Sequence, residues 1–145
     1  MSSFEEYGER YACARLSRDA SGVVEVVLHT DGGPFVLDET GHRELPLLFT
    51  DLGNDRDTKV ILLTGTGDEF CTQLADGDWD FTTSLGWDRT YWEGRRLMQT
   101  FLDVPVPIVS AINGPVRVHA EIPVLCDIVL AADTVEIQDL SLIHI

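Results

Sequence analysis

Pro107-Ile108-Val109-Ser110-Ala111-Ile112-Asn113-Gly114-Pro115 is an apolar strand running into Asn-Gly, a pair that turns a chain tightly. The next residues, Val116-Arg117-Val118-His119-Ala120-Glu121-Ile122-Pro123-Val124-Leu125, carry a histidine and a glutamate through a short helix-like segment. The segment closes at Cys126-Asp127, and a second apolar strand, Ile128 to Ala132, follows. Strand, turn, polar residues and strand again is how α/β proteins build sites, because loops at strand ends carry function while the sheet holds them still.

Upstream, Val60 to Cys71 reads VILLTGTGDEFC, a buried strand followed by a Thr-Gly loop. Cys13 to Ser17 and Val23 to His29 read as two strands joined by a hairpin loop ending in Gly22. Leu45, Leu48, Phe49 and Leu52 form a helical stripe. Pro46 lacks a donor and suits only a first turn, so this helix starts near Glu44 or kinks there, and Gly53-Asn54 ends it. Trp87, Tyr91, Leu97, Met98, Phe101 and Leu102 mark a second helix, stopped by Pro105 and Pro107. Phe4 to Tyr11 forms a short terminal helix, Asp76 to Gly86 an acidic, mobile surface loop, and Val135 to Gln138 a candidate short strand. Strands alternating with helices after a hairpin predict parallel β-α-β units.

The chain has 145 residues, 44% of them hydrophobic, which is one domain's worth of core. A formal net charge of −15 repels phosphate backbones and anionic membranes, so no nucleic-acid or membrane partner is expected. Cys13, Cys71 and Cys126 are far apart and odd in number, which fits neither a disulfide framework nor a zinc ribbon. They read as small core hydrophobes of a reducing compartment, the cytoplasm. The N-terminus has no basic region or apolar run of a signal peptide.

Several chemical readings are set aside. His119-Ala120-Glu121 has the His-x-Glu of zinc deaminases but no following Pro-Cys-x-x-Cys. Asp76, Asp78 and Asp80 alternate like calcium ligands, yet Gly77 is out of place and no Glu closes a loop. Gly65-Thr66-Gly67 lacks the Lys-Ser/Thr of a phosphate loop. No metal and no cofactor is therefore expected. His29 at a strand end and His42 at a helix start read as structural and surface residues respectively.

Taken as an ordered set over Val23 to Gln138, the Thr-Gly loop ending in Phe70-Cys71, the Ala111-Ile112-Asn113-Gly114 strand end and the Cys126-Asp127-Ile128 strand resemble the crotonase (enoyl-CoA hydratase/isomerase) superfamily. The resemblance implies an α/β fold: the N-terminal half of a crotonase-type spiral core, a β-hairpin followed by βαβ units. Two departures narrow it. Acyl-CoA crotonases usually read Ala-Gly-Ala/Gly-Asp after Phe-Cys, where this chain has Thr72-Gln73-Leu74-Ala75-Asp76. They usually carry a glycine run after Asn-Gly, where this chain has Val118-His119-Ala120. Those glycines let backbone N–H groups approach a thioester oxygen, so filling both turns argues against coenzyme A.

Asn-Gly-Pro-Val, then His, then Glu-Ile-Pro-Val resembles the oxocamphor hydrolase branch, which cleaves a carbon–carbon bond of cyclic β-diketones by a retro-Claisen reaction. By that resemblance His119 is a candidate catalytic residue, Leu37 lies where the branch has a substrate-contacting aromatic, and the Leu74 N–H is the surviving oxyanion donor. Glu121 matches the place of a catalytic glutamate of enoyl-CoA hydratases, behind a loop one residue shorter. A helix N-terminal carboxylate explains it equally. The alternatives are an enoyl-CoA hydratase/isomerase and a catalytically inactive crotonase-fold subunit. A small-molecule substrate and a trimeric or hexameric parent are implied. Leu140 to Ile145 fits nothing upstream, so 1–139 reads as a partial domain and 140–145 as a non-native tail, the water-activating His–Asp pair lying beyond.

Overall fold

The computed structural model describes residues 2–76 and 79–138. A hairpin opens the sheet: Ala14–Arg18 (β1) runs antiparallel to Val23–Leu28 (β2). Asp19 shapes the turn, its carboxylate accepting from the Ser21 and Val23 N–H groups at 2.9 and 3.0 Å. Every later pairing in this sheet is parallel. Val60–Thr64 (β4) lies beside β2, Ile108–Ile112 (β6) beside β4, and Ile128–Ala131 (β7) closes the order β1-β2-β4-β6-β7. Two short strands, Val36–Leu37 (β3) and Gln73–Leu74 (β5), pair in parallel beside it. The hairpin and the parallel β-α-β succession match the sequence reading.

Phe4–Tyr7 (α1) precedes the sheet, two long helices, Glu39–Asn54 (α2) and Ser84–Leu102 (α3), pack on each other, and Glu121–Val124 (α4) makes one turn. The core gathers the inward positions of the strands (Val24, Val26, Leu28, Ile61, Leu63, Ile108, Ile112) with Leu45, Leu48, Phe49, Leu52, Leu97 and Phe101 of the helices. Phe49 and Phe101 meet edge to face with centroids 4.6 Å apart, an arrangement that adds about 0.5–1.5 kcal/mol beyond the buried area.

The start of α2 differs from expectation. The helix begins at Glu39, capped by the Asp38 carboxylate accepting from Gly41 N–H at 2.6 Å, and runs through Pro46. An interior proline costs ~3 kcal/mol, while burying one large apolar side chain yields about 1.5–3 kcal/mol. Leu45, Leu48, Phe49 and Leu52 are all fully buried on this helix, so their packing outweighs the proline. Val135 to Gln138 contributes only an isolated bridge, Val116 to Ile137, and is not a strand. The described residues 79–86 are also more structured than a surface loop. Trp79 packs against the core, its Nε1–H donates to the Ala75 carbonyl at 3.2 Å, and Ser84 already begins α3. Asp80 accepts from the Thr82 and Thr83 hydroxyls at 2.8 and 2.6 Å, while Gly77 and Asp78 of the acidic alternation lie outside the described residues.

β7 and one side of α3 remain uncovered. Ile128, Val129 and Leu130 are exposed, as are Leu85, Trp87, Tyr91, Trp92 and Leu102. All three cysteines are buried and free, and burial pushes the Cys71 and Cys126 thiols up to about 12 and about 11. Among the described residues no helix is long and apolar enough to cross a membrane. The suspected tail, 140–145, lies outside the described residues.

Candidate active site

The site forms where β6 ends. Asn113 stitches two loops together: its carbonyl oxygen accepts from Gly65 N–H at 3.0 Å, and its amide donates to the Gly67 and Glu69 carbonyls at 2.7 and 3.0 Å. Gly114 does not adopt the left-handed backbone of a tight Asn-Gly turn. It is glycine because a Cβ would overlap the Asp68 carbonyl. The chain then runs beside Cys71, whose carbonyl accepts from Arg117 and Val118 N–H at 2.8 and 3.3 Å. Val116 is bonded on its other side to Glu136 and Gln138 at 2.9 and 2.8 Å.

This anchored segment delivers His119 with a backbone φ of +49°, a left-handed conformation that a residue with a Cβ adopts at a cost of about 1–3 kcal/mol. Such strain persists where the surroundings hold it, and it concentrates at functional sites. The His119 Nδ1 is hydrogen-bonded to Glu121 Oε1 at the start of α4. A carboxylate can only accept, so Nδ1 carries a proton, and Nε2 can donate only when the ring is an imidazolium.

His42 is the residue that sequence reasoning misplaced. It is 3% exposed, not a surface position. Its Nδ1 lies 3.1 Å from Glu93 Oε2, and its ring centroid is 5.6 Å from that of His119 and 5.3 Å from that of Trp79, edge to face. Burial pulls its pKa below the ordinary histidine value, an effect reinforced by His119 and opposed by Glu93. Glu93 is held in turn by Arg89, whose Nε donates to Glu93 Oε1 at 3.1 Å and which also pairs with Glu39. Helical spacing carries the signal for these groups. His42 precedes Leu45 and Phe49 on the buried stripe of α2, and Glu93 stands four residues before Leu97 on the buried stripe of α3.

Leu37 and Leu74 are paired in register across β3 and β5. Leu37 is 1% exposed and part of the core, whereas Leu74 is 48% exposed. Ala75 N–H donates to the Leu37 carbonyl at 2.8 Å, and in a parallel ladder that register turns the intervening Leu74 N–H away from β3. His119 and Glu121 are thus brought together with His42, Glu93 and Trp79, while Leu37 and Leu74 belong to the adjoining short sheet.

No protein-family model and no curated protein matches the chain. Solved structures do. A β-diketone hydrolase from the cyanobacterium Anabaena, bound to (S)-3-oxocyclohexyl acetic acid, is 39% identical with a TM-score of 0.90, over 93% of this chain and 54% of that one. An enoyl-CoA hydratase/isomerase from Mycobacterium paratuberculosis is 21% identical with a TM-score of 0.80, over 90% of this chain and 53% of that one. An enoyl-CoA hydratase/carnitine racemase from Magnetospirillum magneticum is 24% identical with a TM-score of 0.76, over 90% and 50%. The chain spans about half the length of each. The mostly parallel sheet behind an N-terminal hairpin and these likenesses bear out the resemblance to the crotonase superfamily and its α/β fold.

Proposed function

We propose that the chain forms part of a hydrolase that cleaves a carbon–carbon bond of a cyclic β-diketone by a retro-Claisen reaction. One observation carries the reading. His119 stands, under backbone strain and paired with Glu121, beside the buried His42, so the site presents imidazoles to a ligand. The higher identity to a β-diketone hydrolase than to the enoyl-CoA hydratases supports it.

In this reaction water adds to one ring carbonyl and the bond to the central carbon breaks. Its electron pair passes into the second carbonyl as an enolate, and protonation at carbon leaves a keto acid. Charge develops on the enolate oxygen in the transition state, where a positioned donor contributes more than it does to the neutral diketone. His119 is that donor, from Nε2 of the imidazolium, with Nδ1 engaged by Glu121. The Leu74 N–H is a second candidate donor and Leu37 part of the wall beneath it. The hydratase reading would give Glu121 to acid–base work at a thioester, but this carboxylate is engaged with His119.

Calorimetry on the chain tests the choice. A cyclic 1,3-diketone is expected to bind and acetyl-CoA is not. Micromolar binding of acetyl-CoA with none of the diketone would reverse the assignment.

A further inference from the structure

We propose that Glu93, oriented by Arg89, is a positioning residue that fixes His42 as the tautomer protonated on Nδ1. That leaves Nε2 as a bare hydrogen-bond acceptor in the site. The inference deepens the diketone-hydrolase reading and rests on it for the use of that acceptor, though the tautomer itself does not. In a neutral imidazole one ring nitrogen donates and the other accepts, and the partner of one decides the role of the other. Glu93 Oε2, 3.1 Å from His42 Nδ1, can only accept, so the proton belongs on Nδ1.

Arg89 makes this arrangement one-sided. Its Nε engages Glu93 Oε1 at 3.1 Å while its guanidinium also grips Glu39, so Glu93 cannot swing from the imidazole without giving up that bond. The groups of other elements that face His42 are Glu93 of α3, with His119 and Glu121 of the segment entering α4. Burial favours the neutral ring, which a fixed tautomer requires.

Gly94 adds an independent observation. It sits in the interior of α3, where glycine costs about 1 kcal/mol relative to alanine. A Cβ built there would come within 3.5 Å of His42 Nε2 and 3.8 Å of Cε1. At those distances an added methyl would only touch the ring, so the glycine lets α3 pack directly against the Nε2 edge of the imidazole. With Nδ1 protonated, that edge of His42 is an acceptor.

The test reads the tautomer directly in the uniformly 15N-labelled chain, by long-range 1H–15N correlation above the ordinary histidine titration range. His42 is assigned by its loss in His42→Gln. The wild type should show protonated Nδ1 and bare Nε2. Glu93→Gln is nearly isosteric, and Arg89 will claim its amide oxygen. The amide NH2 then faces Nδ1 and donates to it, so His42 should flip to the Nε2–H tautomer. Replacing Arg89 by Met in the Glu93→Gln background frees the amide to rotate and should restore Nδ1–H. An Nε2–H wild type, or a Glu93→Gln protein that keeps Nδ1–H, overturns the proposal. The wild-type spectrum decides even where a variant folds poorly. Absence of diketone binding beside the expected tautomers would refute the functional reading and leave the positioning role standing.

Discussion

His42 and His119 face each other with ring centroids 5.6 Å apart, and each holds its Nδ1 against a carboxylate from a different element, Glu93 of α3 and Glu121 of α4. The two pairs differ in burial. His42 is enclosed between α2, α3 and Trp79, whereas His119 is partly open to solvent. A nearly solvent-free imidazole and a strained, accessible one suit different tasks, the first holding a fixed neutral ring and the second meeting a ligand.

The burial of His42 has a consequence for pH dependence. Its folded pKa lies below the unfolded value of about 6.5, so the unfolded chain binds the proton more readily. The stability this neutral ring contributes is complete above that value and is lost as pH falls through it toward the lower folded value. The melting temperature of the wild type should therefore drop on acidification from neutral pH more steeply than that of His42→Gln. Parallel curves for the two proteins would show that His42 does not titrate differently on folding.

Asn113 and Gly114 should fail in different ways. Asn113→Ala deletes three hydrogen bonds and leaves the Gly65 N–H and two carbonyls without their partner, at a cost of about 1–3 kcal/mol. Gly114→Ala drives a methyl into the Asp68 carbonyl and forces the two loops apart. Denaturant melts should rank Gly114→Ala as the more destabilised. Equal midpoints would mean that the loops relax freely around both.

The hairpin, the parallel β-α-β run and the closeness of His119 to Glu121 are legible in the sequence because each rests on local pattern. Apolar runs mark β4 and β6, and a Phe-Cys loop and an Asn-Gly strand end lie within a few residues of what they shape. His42, Glu93 and Trp79 are not legible in that way. The meeting of His42 and Glu93 depends on α2 and α3 packing side by side, the two residues being 51 positions apart in sequence. Pro46 misleads for a related reason, since local propensity puts it in a first turn while tertiary packing holds it in the interior of a helix that begins at Glu39. Gly114 shows a third limit, being selected by a carbonyl from a distant loop and not by the turn that Asn-Gly suggests locally.

The open strand β7 predicts self-association. Among the described residues its outer edge has no strand partner, and Ile128, Val129 and Leu130 are exposed. Exposed apolar edge strands template pairing between chains, and a charge on such a strand blocks it. Light scattering should show concentration-dependent association of the 145-residue chain that Val129→Lys reduces. A monodisperse monomer with one cooperative melt would contradict this.

His119→Ala separates a role in chemistry from a role in structure. Where the chain is joined to the segment that its relatives have beyond it, and diketone cleavage can be followed, removing a preorganised enolate donor should lower kcat roughly 10²–10³-fold. Stability should hardly move, for two reasons. The left-handed φ of +49° strains histidine, and alanine shares that strain without holding a ring in place. The Glu121 carboxylate is partly exposed, so water can replace the lost imidazole partner. A merely structural histidine predicts the reverse pattern, a melt lowered by about 1–3 kcal/mol with near-normal kcat in the folded fraction. His119→Gln supplies the last discrimination. Its amide can donate a hydrogen bond in place of the imidazole, so it should recover part of the rate that His119→Ala loses. A His119→Gln protein no faster than His119→Ala would leave His119 without the donor role.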